Sequence, residues 1–318
     1  MRVGDAGRRG RADRLGAMRR RADAAVDRVW APTARWVARA ERAPHRPDAE
    51  PRLALITVNF STTTYLKLML ATLAEQRALA LVKQVIVVDN ASRDGGQPFL
   101  HVLADRAARV DLVERRRFLS HAHGMRAGVA ALRRRDHDLP ADERATHLLF
   151  VDTDVIWRSP DALLDLTSAA VATDAALAGE IRLHGPNPHP DIQASLFLLR
   201  RDVYDDPAIP PLLNCGSPAY RLQRAVIDRG DVVVDVPTNR NGLTLHRGRA
   251  GVTAAAAHPR HPYAHATKRD PSFMGVYGGG AIWAEAEATY AARLGADGEP
   301  ALLDLLADRL GPHNPDTA

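Results

Sequence analysis

A chain of 318 residues, 46% hydrophobic and 25% charged, can bury a full core, which excludes a disordered protein. Its one cysteine, Cys215, excludes a disulfide framework or a cysteine-rich zinc site and reads as a small packed residue. The net charge of +5 is concentrated in residues 1–50, where 13 Arg face 7 Asp and Glu.

Residues 1–50 therefore read as a basic, Arg- and Ala-rich arm. Val26, Trp30, Trp36 and Val37 give it one apolar side of an interrupted helix, suited to a loosely docked arm or to peripheral contact with an anionic membrane face. Arg outnumbers Lys along the whole chain, so the bias is one of composition and no nucleic-acid partner is expected. No apolar run reaches the roughly 18–20 residues that span a bilayer, and the arm lacks the apolar segment of a secretory signal. The expected location is cytoplasmic, with the membrane's inner face as the alternative.

Residues 51–250 alternate strands and helices. Leu53–Val58 is short, continuous and β-branched, the pattern of a buried parallel strand. A helix is expected over Thr62–Ala80, a strand at Val85–Asp89, and then a loop, Asn90–Gly96, whose Asn and Gly suit positive φ. Val110–Glu114 reads as a strand, about Ala122–Arg135 as a helix, and His147–Val151 as a fourth strand. A helix capped by Ser159 runs over Pro160–Ala172, and a strand over Ala194–Leu199. Between them His184–Pro190 is too Pro-rich for regular structure and is expected to cross the site's mouth. Ser217-Pro218 opens a helix to Gly230, and Val232–Val236 reads as a strand. Residues 251–318 form a C-terminal extension with helices near Ala281–Leu294 and Ala301–Leu310.

This order predicts an α/β fold with a mostly parallel central sheet, whose ligand chemistry lies at the carboxyl ends of the strands. Thr57 and Asn59 then fall at the end of strand one, Asp89 and Ser92 after strand two, and Asp152-Thr153-Asp154 after strand four. Alternate residues of an extended chain share a face, so Asp152 and Asp154 present two carboxylates together. Oxygen donors of this kind suit Mg²⁺ or Mn²⁺ against a diphosphate. A nitrogen ligand is available from His246, which follows the last expected strand. Two α/β alternatives fail on Asn59-Phe-Ser-Thr-Thr-Thr64: it has no glycine, as a nucleotidyltransferase or a dinucleotide-binding loop would need.

Leu55-Ile-Thr-Val-Asn59, Val87-Val-Asp-Asn-Ala-Ser-Arg-Asp94 and Leu149-Phe-Val-Asp-Thr-Asp-Val155, in this order and spacing, resemble the glycosyltransferase family 2 group of GT-A fold enzymes. The likeness covers about Leu53 to Arg249, and Val-Asp-Asn-Ala-Ser is its most specific part. It implies sugar transfer from a nucleotide diphosphate sugar, a UDP-sugar first among them, with a divalent cation. It implies that Asp89 contacts the base or ribose, that Thr57 and Asn59 line the nucleotide pocket, that Asp152 and Asp154 bind ribose and metal, and that His246 is a further metal ligand.

The sequence departs from that pattern twice. Where the family usually has Asn, His121-Ala-His-Gly-Met-Arg-Ala-Gly128 offers Arg126, read either as a cation for the donor phosphates or as a solvated helix residue. His121 and His123 read as polar loop residues. Where inverting members carry an acidic pair, Asn214-Cys-Gly-Ser-Pro-Ala-Tyr220 has no acid. Asp191, expected in the loop before its strand, is the candidate general base, with a solvent-exposed loop carboxylate as the alternative. Asp205 and Asp206 lie beyond the far end of that strand and are discounted. The missing pair leaves a second reading open, a non-catalytic protein of the same fold that binds a nucleotide or a partner.

Overall fold

A computed structural model describes residues 50–182, 190–213, 218–248, 280–294 and 298–312. The strands are β1 (Leu53–Asn59), β2 (Val82–Asp89), β3 (Val110–Glu114), β4 (His147–Val151), β5 (Val155–Trp157), β6 (Leu177–Arg182), β7 (Asp191–Arg200), β8 (Val233–Asp235) and β9 (Thr244–His246). The helices are α1 (Thr63–Leu73), α2 (Gln97–Arg106), α3 (His121–His137), α4 (Ala162–Ala172), α5 (Arg201–Asp205), α6 (Tyr220–Asp228), α7 (Gly280–Leu294) and α8 (Gly298–Arg309).

Seven strands form one sheet in the order β3-β2-β1-β4-β7-β6-β8, in which β7 alone runs against the rest, so the sheet is mostly parallel. β5 and β9 pair separately as a small antiparallel ribbon. The central strands are buried on both faces, and their unbroken apolar runs follow from that. Leu53, Leu55, Val85, Val87, Leu149 and Val151 pack on one side against α1, α2, α4 and α8. Ala54, Ile56, Val58, Ile86, Val88, Leu148 and Phe150 pack on the other against α3, α5 and α6. Leu302, Leu303 and Leu306 of α8 thus share the core of the sheet.

Two glycines set the distance between α3 and β1. A Cβ on Gly124 would lie 2.5 Å from Val58 Cγ1, and one on Gly128 would lie 2.5 Å from Ile56 Cγ2. This close approach brings the amino end of α3, and His121 with it, to the carboxyl ends of the strands.

Several elements differ from expectation. The helix expected to reach Ala80 stops at Leu73, and Arg77–Leu81 is a separate 3₁₀ turn. Tertiary bonds account for the break: Gln76 Nε2 donates to the Ser159 carbonyl, Gln76 Oε1 accepts from Leu163 N–H, and Arg77 N–H donates to the Pro160 carbonyl. α4 begins at Ala162, because Ser159 forms a turn ahead of it, its Oγ accepting from Asp161 N–H. β2 begins three residues early, at Val82. Asp191 is the first residue of β7 and is buried, so neither a preceding loop nor solvent holds it. His121 and His123 lie in the first turn of α3, not in a loop. α6 starts at Tyr220 and β8 ends at Asp235. Residues 1–49, Cys215, Ser217 and the His184–His189 part of the expected mouth loop lie outside the described residues.

Candidate active site

β4 ends at Val151 and the chain turns at once. Asp152 N–H donates to the Ser195 carbonyl of β7 at 2.7 Å, and Val155 N–H returns to the Asp152 carbonyl at 3.3 Å. Between them Thr153 is buried, with its Oγ1 2.9 Å from Thr62 Oγ1 ahead of α1. Asp152 and Asp154 flank it in the turn between β4 and β5. The β5–β9 ribbon then brings in a distant residue: Val155 is paired with His246, and Arg247 N–H donates to the Asp154 carbonyl at 2.9 Å.

Asp152, Asp154 and His246 thereby offer three ligand atoms that all lie within 4.8 Å of one another. His246 Nε2 is 3.2 Å from Asp154 Oδ1 and 3.7 Å from Asp152 Oδ2. Two carboxylate oxygens and an imidazole nitrogen form a donor set that fits Mn²⁺ or Mg²⁺. Two carboxylates this close repel unless positive charge compensates them. The protein supplies some of it: His121 Nε2 stands 3.1 Å from Asp152 Oδ1. Burial lowers the pKa of His121 and of His246, but Asp152 and Asp154 outweigh it, and both imidazoles end above their ordinary value.

Asn59, Asp89 and Ser92 form a second cluster, buried beneath the loops after β1 and β2. Asn59 Nδ2 donates to Asp89 Oδ1 at 3.1 Å, Ser92 Oγ at 3.2 Å and Thr63 Oγ1 at 3.0 Å. Asn59 Oδ1 accepts from Thr62 Oγ1 at 2.9 Å, and Asp89 Oδ2 accepts from Ser92 N–H at 3.2 Å. Ser61 and Ala91, the turning residues of the two loops, are both left-handed, at φ 51° and 66°. A continuous chain of hydrogen bonds therefore runs from Asp89 through Asn59 and Thr62 to Thr153, the middle of Asp-x-Asp.

The other expected site residues lie outside these clusters. Thr57 is sealed inside β1, and its hydroxyl has no hydrogen-bond partner. Arg126 donates from Nη1 to the Leu212 carbonyl at 3.1 Å, tying α3 to the segment beyond α5. Asp191 faces Arg182 across the β6–β7 pair, its oxygens 2.8 and 3.0 Å from Arg182 Nη2. It lies two residues along β7 from Gln193, whose Nε2 is 2.7 Å from His246 Nδ1.

Gln193 and His121 are contacts that sequence reasoning missed. His121 carried a signal, since it follows a helix-capping Ser120 in a segment that opens near strand ends. Gln193 carried none. Beneath the ribbon Leu68, Ile156, Leu245 and Trp283 form a small apolar cluster, and the Arg247 guanidinium lies 4.7 Å from the Tyr65 ring.

No family model matches the chain, and no curated protein is significantly similar to it. Solved structures are similar at low identity. The mannosyltransferase PcManGT from Pyrobaculum calidifontis, in complex with GDP-Man and Mn²⁺, has a TM-score of 0.46 and 16% identity over 93% of this chain and 85% of that one. TarS 1–349 of S. aureus gives 0.41 and 12%, over 81% and 80%. Glucosyl-3-phosphoglycerate synthase from Mycobacterium tuberculosis, with Mn²⁺, UDP and glucosyl-3-phosphoglycerate, gives 0.41 and 13%, over 68% and 82%. At these values the residues themselves must carry the chemistry. The mostly parallel α/β sheet expected of a GT-A type enzyme is the one observed.

Proposed function

We propose that this chain is a metal-dependent glycosyltransferase that uses a nucleotide diphosphate sugar. The observation that carries the reading is the convergence of Asp152, Asp154 and His246 at the carboxyl end of β4, joined by hydrogen bonds to the Asn59–Asp89–Ser92 cluster. Asp152, Asp154 and His246 would hold Mn²⁺ or Mg²⁺, which supplies charge compensation for the diphosphate that leaves when the sugar is transferred. Asp89, Asn59 and Ser92 set the two loops that would enclose the nucleoside of a UDP-sugar. Arg126, held at the Leu212 carbonyl, would be the cation on the phosphate side, while Thr57, sealed within β1, is left out of the pocket. Asp191 is the general base candidate, with its carboxylate oriented by Arg182.

Calorimetry with UDP and GDP, with and without Mn²⁺, tests the donor half, and a screen of nucleotide sugars for metal-dependent hydrolysis names the sugar. Binding that ignores the metal would sink the reading. Asp154→Ala should fold as the wild type and lose turnover by about 100-fold or more, since a bound cation contributes several kcal/mol to such a transition state. The pairing of Asp191 with Arg182 favours one other reading, a nucleotide-binding protein without catalysis. Metal-dependent nucleotide binding with no hydrolysis of any nucleotide sugar would support it.

A further inference from the structure

His246 meets Asp154 through Nε2 and meets Gln193 through Nδ1, so its two ring nitrogens have separate partners. A cation taken up between the carboxylates and Nε2 requires the lone pair of that atom, which leaves the ring proton on Nδ1. Nδ1–H then needs an acceptor at the place where Gln193 Nε2 stands, 2.7 Å away. A primary amide carries a donor at one end and an acceptor at the other in nearly the same volume, and a half-turn exchanges them. Gln193 is held in β7, whose next odd residue, Ser195, anchors Asp152 through its carbonyl. The same strand thus touches two of the three ligands.

We propose that Gln193 is a positioning residue of the cation site: its amide carbonyl accepts the His246 Nδ1 proton and holds the imidazole with Nε2 unprotonated toward Asp154. The inference rests on the glycosyltransferase reading only through the cation. Hydrogen bonding of this kind to a ligating imidazole raises its basicity and fixes its orientation.

The test is a titration of the full-length protein with Mn²⁺, read from the electron paramagnetic resonance of the free ion. Gln193→Met keeps the length of the side chain and removes the acceptor, and Gln193→Glu keeps an acceptor and removes the donor. The Met variant should bind Mn²⁺ about 10–100-fold more weakly, with the Glu variant as tight as wild type or tighter. A Met variant indistinguishable from wild type, or a Glu variant weakened as much as Met, overturns the proposal. Should the Met variant fail to fold, ¹⁵N NMR of wild-type His246 with Mg²⁺ decides: a protonated Nδ1 supports the assignment and a protonated Nε2 overturns it. Wild-type protein that takes up no Mn²⁺ even with UDP or GDP overturns both this inference and the metal-dependent reading. Wild-type binding with an indifferent Met variant removes Gln193 alone.

Discussion

His123 sits two residues from His121 and titrates in the opposite sense. Its Nδ1 lies 2.7 Å from Ser120 Oγ, and burial, with Arg126 and Arg115 adding to it, pushes its pKa down to about 4. As pH falls below the ordinary histidine value near 6.5, the unfolded chain takes up this proton first, so His123 lowers stability progressively down to about pH 4. His121 and His246 act the other way. Their folded pKa values are raised, so the stability they contribute is present below the unfolded value and is lost as pH rises through the folded one. His123→Gln should therefore flatten the loss of stability between pH 6.5 and 4, measured as the midpoint of chemical denaturation at each pH. An unchanged slope would remove His123 from the account. Residues of this kind are hard to read from sequence, because the sign depends on which charges the fold brings near. The same holds in the loop after β2, where Asn and Gly were expected to supply positive φ and Ala91 shares that work with Gly95. A non-glycine residue there costs about 1–2 kcal/mol, held in place by the bonds of Ser92 and Asn59 around it.

Among the elements, α3 lies close against the sheet through two glycines. Adding a methyl at Gly128 would force it against Ile56 and Val88 in the middle of the sheet. Gly128→Ala should cost about 1–3 kcal/mol by overpacking, more than any gain in helix propensity returns, and thermal unfolding should show it directly. A variant as stable as wild type would mean that α3 can slide on β1. The strands Val110–Glu114 and His147–Val151 were legible to the residue, since both are short, rich in aliphatic residues and bounded by polar segments. β5 and β9 were not. Each is three residues long and is defined only by the other, far away in sequence. β6 was missed for a different reason, because Gly179 and Glu180 interrupt its apolar pattern. Gly179 has no room for a side chain beside Ile192, and Glu180 accepts from the backbone N–H groups of Asn239 and Arg240. The helix expected to reach Ala80 ends at Leu73 because Gln76 and Arg77 have partners in the Ser159–Leu163 turn, which local periodicity does not report.

Across the whole molecule, the placing of Asn59, Asp89 and Asp152 was legible because they lie at the ends of strands that sequence pattern reveals. His246 was expected beside Asp152 and Asp154, but the ribbon that brings it there was not read, since its two strands lie far apart in sequence. That ribbon has a consequence for stability. With one cysteine in 318 residues, the chain closes no loop covalently upon itself. A cation shared by Asp152, Asp154 and His246 would act as a removable cross-link, tying together positions about ninety residues apart, a span for which a disulfide would contribute roughly 4–5 kcal/mol. The reversible link contributes according to its occupancy, about 2.7 kcal/mol when Mn²⁺ stands at about 100 times its dissociation constant. For a domain of this size that corresponds to a rise in Tm of roughly 5–10 °C, read by scanning calorimetry with and without the ion. Asp154→Ala should show no such rise. The midpoint of unfolding would then measure how fully the cross-link is made, and the folded lifetime of the chain would follow the supply of a metal ion.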